Sequence, residues 1–274
     1  MTLVISTNIL CLSKAVLGAK MQWNNWSILL SEVLEQFSIG AFIIIGGVML
    51  SGKLCFGQHD RVMKVLPFIS WLLIASLLIR EATLMALPSS SIATNANMVV
   101  FVLVFVALTL IYSLCENRLI GKDGSRKLII GVMLLWSIAY VVDILSFNAG
   151  NGHIGNIITT VFSVGFGGSL LAHSMLIKAQ HKVDPLNVGL PLFGTLISVI
   201  VFIVACLDLA TLVEQTQSGI LLPFIWRMVG VGCLVAATGL WLMSLLTKTK
   251  PVLAILACAC TLAVMASLAV NGSF

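Results

Sequence analysis

Glu32, Glu35 and Gln36 interrupt an apolar run, "EVLEQFSIGAFIIIGG", and are the first residues whose types suit chemistry. Carboxylates accept protons, and an amide holds a polar ring by hydrogen bonds. Arg80 with Glu81, then Asp143, Asp208 and Arg227, stand in other apolar stretches. A charge at membrane depth costs about 2.5 kcal/mol or more, so it normally faces protein or a water-filled cavity. Snorkelling to the surface is the plainer alternative. It accounts for Glu32, Asp143 and Asp208, and less well for Glu35. Arg80, Glu81 and Arg227 lie roughly two turns or more from a span edge, which favours a paired or functional interior role.

The helices that must carry these residues follow from composition. The 274-residue chain is 59% hydrophobic and only 9% charged, with a mean hydropathy of +1.12. Soluble domains carry about a quarter charged residues, so the chain reads as an integral membrane protein whose partner is a lipid bilayer. A crossing helix needs about 20 apolar residues, and eight stretches qualify, at approximately 28–50, 65–87, 97–115, 127–147, 154–177, 188–211, 219–246 and 251–270. The expected fold is all-α: a polytopic bundle of eight transmembrane helices over residues 23–274. Residues 1–22 form an extension of doubtful status. They contain a short apolar part without a basic n-region, and Met21 is a candidate start.

Sidedness follows from charge. Loop 1–2 carries Lys53, Arg61 and Lys64; loop 3–4 carries Arg118, Lys122, Arg126 and Lys127. Loop 5–6 has Lys178 and Lys182, and loop 7–8 has Lys248 and Lys250, so eleven of the fifteen basic residues fall in alternate loops. The positive-inside rule puts those loops in the cytoplasm and both termini outside, in the periplasm of a bacterial inner membrane. Every ionisable residue within a span, His173 apart, then falls in the outer half of the membrane. Glu32, Gln36 and Gly40 are four apart and share a helix face. Arg80 and Glu81 point about 100° apart and need partners on different helices, with Glu35, Asp208 and Arg227 as candidates. One polar cavity on the outer side is the expectation.

Several chemistries lack their residues. Of the four histidines only His173 lies well inside a span, whereas a di-haem cytochrome needs several axial ligands. The seven cysteines form no Cys-x-x-Cys pair and mostly sit in apolar runs, so no haem, iron–sulfur cluster or other metal of its own is expected. No phosphate-cradling loop or nucleophile motif occurs, and no nucleic-acid partner is expected.

"WNNWSILLSEVLEQFSIGAF" places Trp23, Trp26, Gln36, Gly40 and Phe42 in a pattern that continues with Phe68, Trp71 and Pro88, "FGGSLL" from Phe166, "DLATL" at Asp208 and "WRMV" at Arg227. In order and spacing this resembles the membrane-anchor subunit of dimethyl sulfoxide reductase and its relatives, from about Trp23 onward. The resemblance implies an eight-span protein that binds menaquinol and passes electrons to an iron–sulfur subunit, which feeds a molybdopterin catalytic subunit in anaerobic respiration. Glu35 and Glu81 would be the proton acceptors. Gln36, Arg80, Asp208 and Arg227 would bind the quinol. Departures are specific: "LMALP" puts Leu84 where the family has the histidine implicated in quinol oxidation, Ala96 stands for a glutamate, and Asn271 for an arginine.

A divergent anchor or scaffold without quinol chemistry is therefore one alternative. A secondary transporter using a charged cavity is another, although no internal repeat is evident and the charges lie away from the midplane. A membrane-embedded assembly factor is a third.

Overall fold

A computed structural model describes residues 26–52, 54, 56–86, 96–115, 123–150, 154–180, 184–216, 222–247, 249 and 251–271. The extension over residues 1–22 lies outside the described residues. Among those described, all regular structure is helical: α1 (Trp26–Leu50), α2 (Phe56–Met63), α3 (Leu66–Ala86), α4 (Ala96–Cys115), α5 (Asp123–Gly150), α6 (Ile154–Phe162), α7 (Gly168–Lys178), α8 (Asp184–Thr216), α9 (Leu222–Leu246) and α10 (Leu253–Asn271). A short π-helical segment, Ser163–Gly167, joins α6 to α7. Eight helical stretches are long and apolar enough to cross a membrane, as expected, with α3 the second and α6 through α7 the fifth. They make this a multi-pass membrane protein.

Helix is the form such runs must take, because a bilayer core offers nothing to hydrogen-bond an open backbone. The hydroxyls obey the same constraint. Ser38 Oγ donates to the Leu34 carbonyl at 2.7 Å, Ser76 to Leu73 at 2.7 Å and Ser137 to Met133 at 2.9 Å. Each polar atom is satisfied within its own helix.

Successive spans run antiparallel, and side chains mark the two ends. Arg61 Nη1 donates to Gln180 Oε1 at 3.1 Å, joining α2 to the segment after α7 at one end. Thr83 meets Ser27 at 2.9 Å at the other, where α3 finishes beside the start of α1.

The first and fifth spans are the most buried, at 67% and 72%, and they form the centre of the bundle. Their crossing depends on glycine. A Cβ on Gly40 would run into the Val164 carbonyl oxygen, and one on Gly168 would meet the Gly40 backbone. Small residues permit this approach, the usual device for helix packing in lipid. The extra residue in the π turn sits at the same crossing. Around it the fourth and seventh spans are only 22% buried, and leucines such as Leu135 and Leu246 face outward.

Candidate functional site

The Trp26 end of the bundle contains a cavity of about 410 Å³ walled by α1, α3, α4, α5 and α6. Helical spacing brings its polar groups together. Glu32, Glu35 and Gln36 are i, i+3 and i+4 on α1, and Tyr140, Asp143 and Phe147 are i, i+3 and i+7 on α5. Arg80 enters from α3, Asn97 from α4, and Thr159 and Thr160 from α6. Glu35 is roughly 14 Å along the axis from the start of α1 at about 1.5 Å per residue, so the cavity reaches well below the helix ends.

Its inner wall is buried and its mouth is open. Glu35 is 3% exposed, Arg80 8% and Gln36 9%, whereas Glu32 and Asn148 are half-buried and Asp143 and Asn97 are exposed. The Tyr140 hydroxyl donates a hydrogen bond to the Glu35 carboxylate. The Arg80 guanidinium is the cation acting on both Glu32 and Glu35, and its Nη1 lies against Met98 Sδ. At the mouth, Asn97 Nδ2 donates to Asp143 Oδ2 at 3.0 Å, and Asn148 Nδ2 to Thr160 Oγ1 at 3.3 Å.

Two acceptors stand out. Glu35 Oε1 and Gln36 Oε1 are buried without a hydrogen-bond partner. Leaving such an atom unpaired costs about 1–3 kcal/mol. Both residues line the cavity, so the wall is complementary to a molecule bearing hydroxyl or amine donors. With Arg80 beside them, it offers acceptors and a donor within one pocket.

The structure thus brings Glu35, Gln36 and Arg80 together with Glu32 and Asp143, and separates other residues expected in one cavity. Glu81 is half-buried on the neighbouring face of α3 and is not part of the cavity wall. Arg227 is buried between α9 and α10, where its Nη1 donates to the Val270 carbonyl at 3.1 Å. Asp208 is on α8, and its side chain lies outside the described residues. Leu84 is half-buried near the end of α3. His173 is fully buried in the core, and its Nδ1 accepts from Trp241 Nε1 at 2.8 Å, the packed and hydrogen-bonded role common for a lone membrane histidine.

Comparison with known protein families, curated proteins and solved structures finds no match. The site must therefore be read from its own chemistry. Among the described residues no three His, Cys, Asp or Glu side chains gather as a metal-holding group.

Tyr140, Asn97 and Thr160 were not visible as site residues from ionisable groups alone. The usable signal was spacing: Tyr140 is three residues before Asp143 and seven before Phe147, on one stripe of α5.

Proposed function

We propose that the chain is a quinol-binding membrane anchor of a dimethyl sulfoxide reductase-type complex in a bacterial inner membrane, with menaquinol as its ligand. Both termini and the cavity mouth then lie on the periplasmic side, in keeping with the charge alternation of the loops. The observation that carries the reading is the pair of unpartnered acceptors, Glu35 Oε1 and Gln36 Oε1, lining a membrane-depth cavity beside Arg80. A hydroquinone supplies what these groups lack: two O–H donors on an apolar ring, with oxygens that accept from a guanidinium.

Oxidation breaks both O–H bonds and releases two protons and two electrons. Glu35 is the buried base, and Tyr140 orients its carboxylate. Glu32 and Asp143, nearer the mouth, provide the onward route for protons to the outer side. The electrons pass to a docked iron–sulfur subunit and from it to a molybdopterin catalytic subunit. The reading gives Glu81 and Arg227 no contact with the ring. It also explains how the anchor tolerates Leu84, since the proton acceptor is supplied by α1.

Affinity purification from gently solubilised membranes, with mass spectrometry of co-purifying proteins and lipophilic cofactors, tests this. A multi-cluster ferredoxin-like protein, a molybdenum enzyme and menaquinone are the expected companions. Recovery of a lone chain without quinone would overturn the reading and favour transport through the charged cavity.

A further inference from the structure

Beside the polar cavity, α4 and α5 leave a second depression of about 240 Å³ on the lipid-facing side of the bundle. Two stripes wall it. Asn97, Val100 and Phe101 are i, i+3 and i+4 on α4, facing Trp136, Ala139, Tyr140 and Asp143 on α5. The depression and the cavity share Asn97, Tyr140 and Asp143. They are neighbouring compartments with a common wall, and the Asn97–Asp143 hydrogen bond spans that wall.

The groove has a direction. Its polar residues lie at the cavity end of α4 and α5. One to two turns deeper, Val100, Phe101, Trp136 and Ala139 make it apolar. Val100 and Ala139 are exposed where only hydrocarbon would meet them. Trp136 Nε1 approaches the Phe101 carbonyl at 3.5 Å, and the Phe101 ring stacks on Tyr140, so the groove has a fixed aromatic lining. Polar at one end, apolar at the other and open to the bilayer, the pair of compartments matches an amphiphile lying along the membrane normal.

We infer that the α4–α5 groove seats the hydrocarbon chain of the same ligand whose ring occupies the cavity, and that the ligand reaches the cavity laterally from the bilayer past Asn97 and Asp143. This deepens the quinol reading and rests on it. It adds the ligand class, a ring-headed amphiphile rather than a free polar ring, and the route of access. The tail would run inward along Val100 and Ala139, while Tyr140 contacts both ring and chain.

The test measures dissociation constants in phosphatidylcholine nanodiscs for two probes: menadione, which has no chain, and menaquinone-4, which carries a prenyl chain. Ala139→Trp and, on the facing helix, Val100→Trp fill the groove from positions that already face lipid. Partitioning of the chain into the bilayer is the same for every variant and cancels in the comparison. The expected result is that the affinity ratio of menaquinone-4 to menadione falls roughly ten-fold in a filled-groove variant, the scale of two or so methylenes losing their seat. An unchanged ratio in both variants overturns the groove and leaves the quinol reading standing, as would a groove filled only by bilayer lipid. Wild-type protein that binds neither probe overturns both.

Discussion

The rings of Phe101 and Tyr140 stack with centroids 4.1 Å apart and planes within 7° of parallel, which fixes the tyrosine hydroxyl where it reaches Glu35. Phe101 is held in turn by Phe105, at 5.9 Å, and Phe105 meets Phe42 of α1 edge-on at 4.7 Å. The aromatic chain runs from the wall of the cavity back to the central helix. Orientation of the buried carboxylate is therefore built into the packing of α4 against α1 and α5.

Tyr140→Phe separates that orientation from the stack. The phenylalanine ring keeps its place on Phe101 and loses only the donor. Thermal stability in detergent should change little, by about 1 kcal/mol, the usual net worth of one hydrogen bond. Quinol-dependent electron transfer should fall several-fold because Glu35 loses its positioning donor. Wild-type turnover in Tyr140→Phe would show that the stack alone positions the site.

Glu35→Gln and Glu81→Gln form a matched pair. Both keep side-chain size and remove the proton-accepting charge, but only Glu35 lines the cavity. Turnover with a quinol should fall on the order of a hundred-fold in Glu35→Gln, as expected for loss of a general base, and stay near wild type in Glu81→Gln. Quinol binding should persist in both. A comparable loss from Glu81→Gln would place the proton path on the other face of α3.

That contrast also shows what the sequence could and could not say. Eight spans were legible because hydrocarbon thickness fixes the length of an apolar run, and nothing else in the chain competes with that signal. Glu35 and Gln36 stood out for the same reason. Arg80 and Glu81 were harder, being adjacent and equally charged. Yet the buried residues of α3, Leu66, Ile69, Ser70, Leu73, Ser76 and Arg80, form one stripe, and its small serines mark the protein-facing side. Arg227 offered no such stripe. Its partner is a backbone carbonyl on α10, and a carbonyl leaves no mark in side-chain types. Tyr140 was missed because it is uncharged at neutral pH and the search followed charge.

Gly40→Ala addresses the crossing that holds α1 against the fifth span. The added methyl would meet the Val164 carbonyl, a backbone atom that cannot swing aside. A loss of about 1–3 kcal/mol is expected from forcing the two backbones apart, read as a lowered unfolding temperature in detergent. Gly47→Ala is the control, since nothing lies within 4 Å of its Cβ position. There the change should be neutral or slightly favourable, as alanine suits a helix better than glycine by roughly 0.5–1 kcal/mol. Equal effects at the two glycines would mean that helix propensity, not close approach, governs the bundle.

Trp241→Phe probes the core away from the cavity. Trp241 packs edge-on against Phe166, its six-membered ring fills the space that a side chain on Gly194 would need, and its Nε1 donates to His173 Nδ1 at 2.8 Å. Phenylalanine keeps part of the packing and removes this donor from a fully buried imidazole. The cost should be about 1–3 kcal/mol, more than an ordinary hydrogen-bond deletion, because the acceptor stays in a site that water does not reach. Ligand binding at the cavity should be unaffected, since neither Trp241 nor His173 is part of its wall. If Trp241→Phe instead abolished quinol binding while the protein stayed folded, the Trp241–His173 pair would belong to the functional machinery, and a core role for His173 would be untenable.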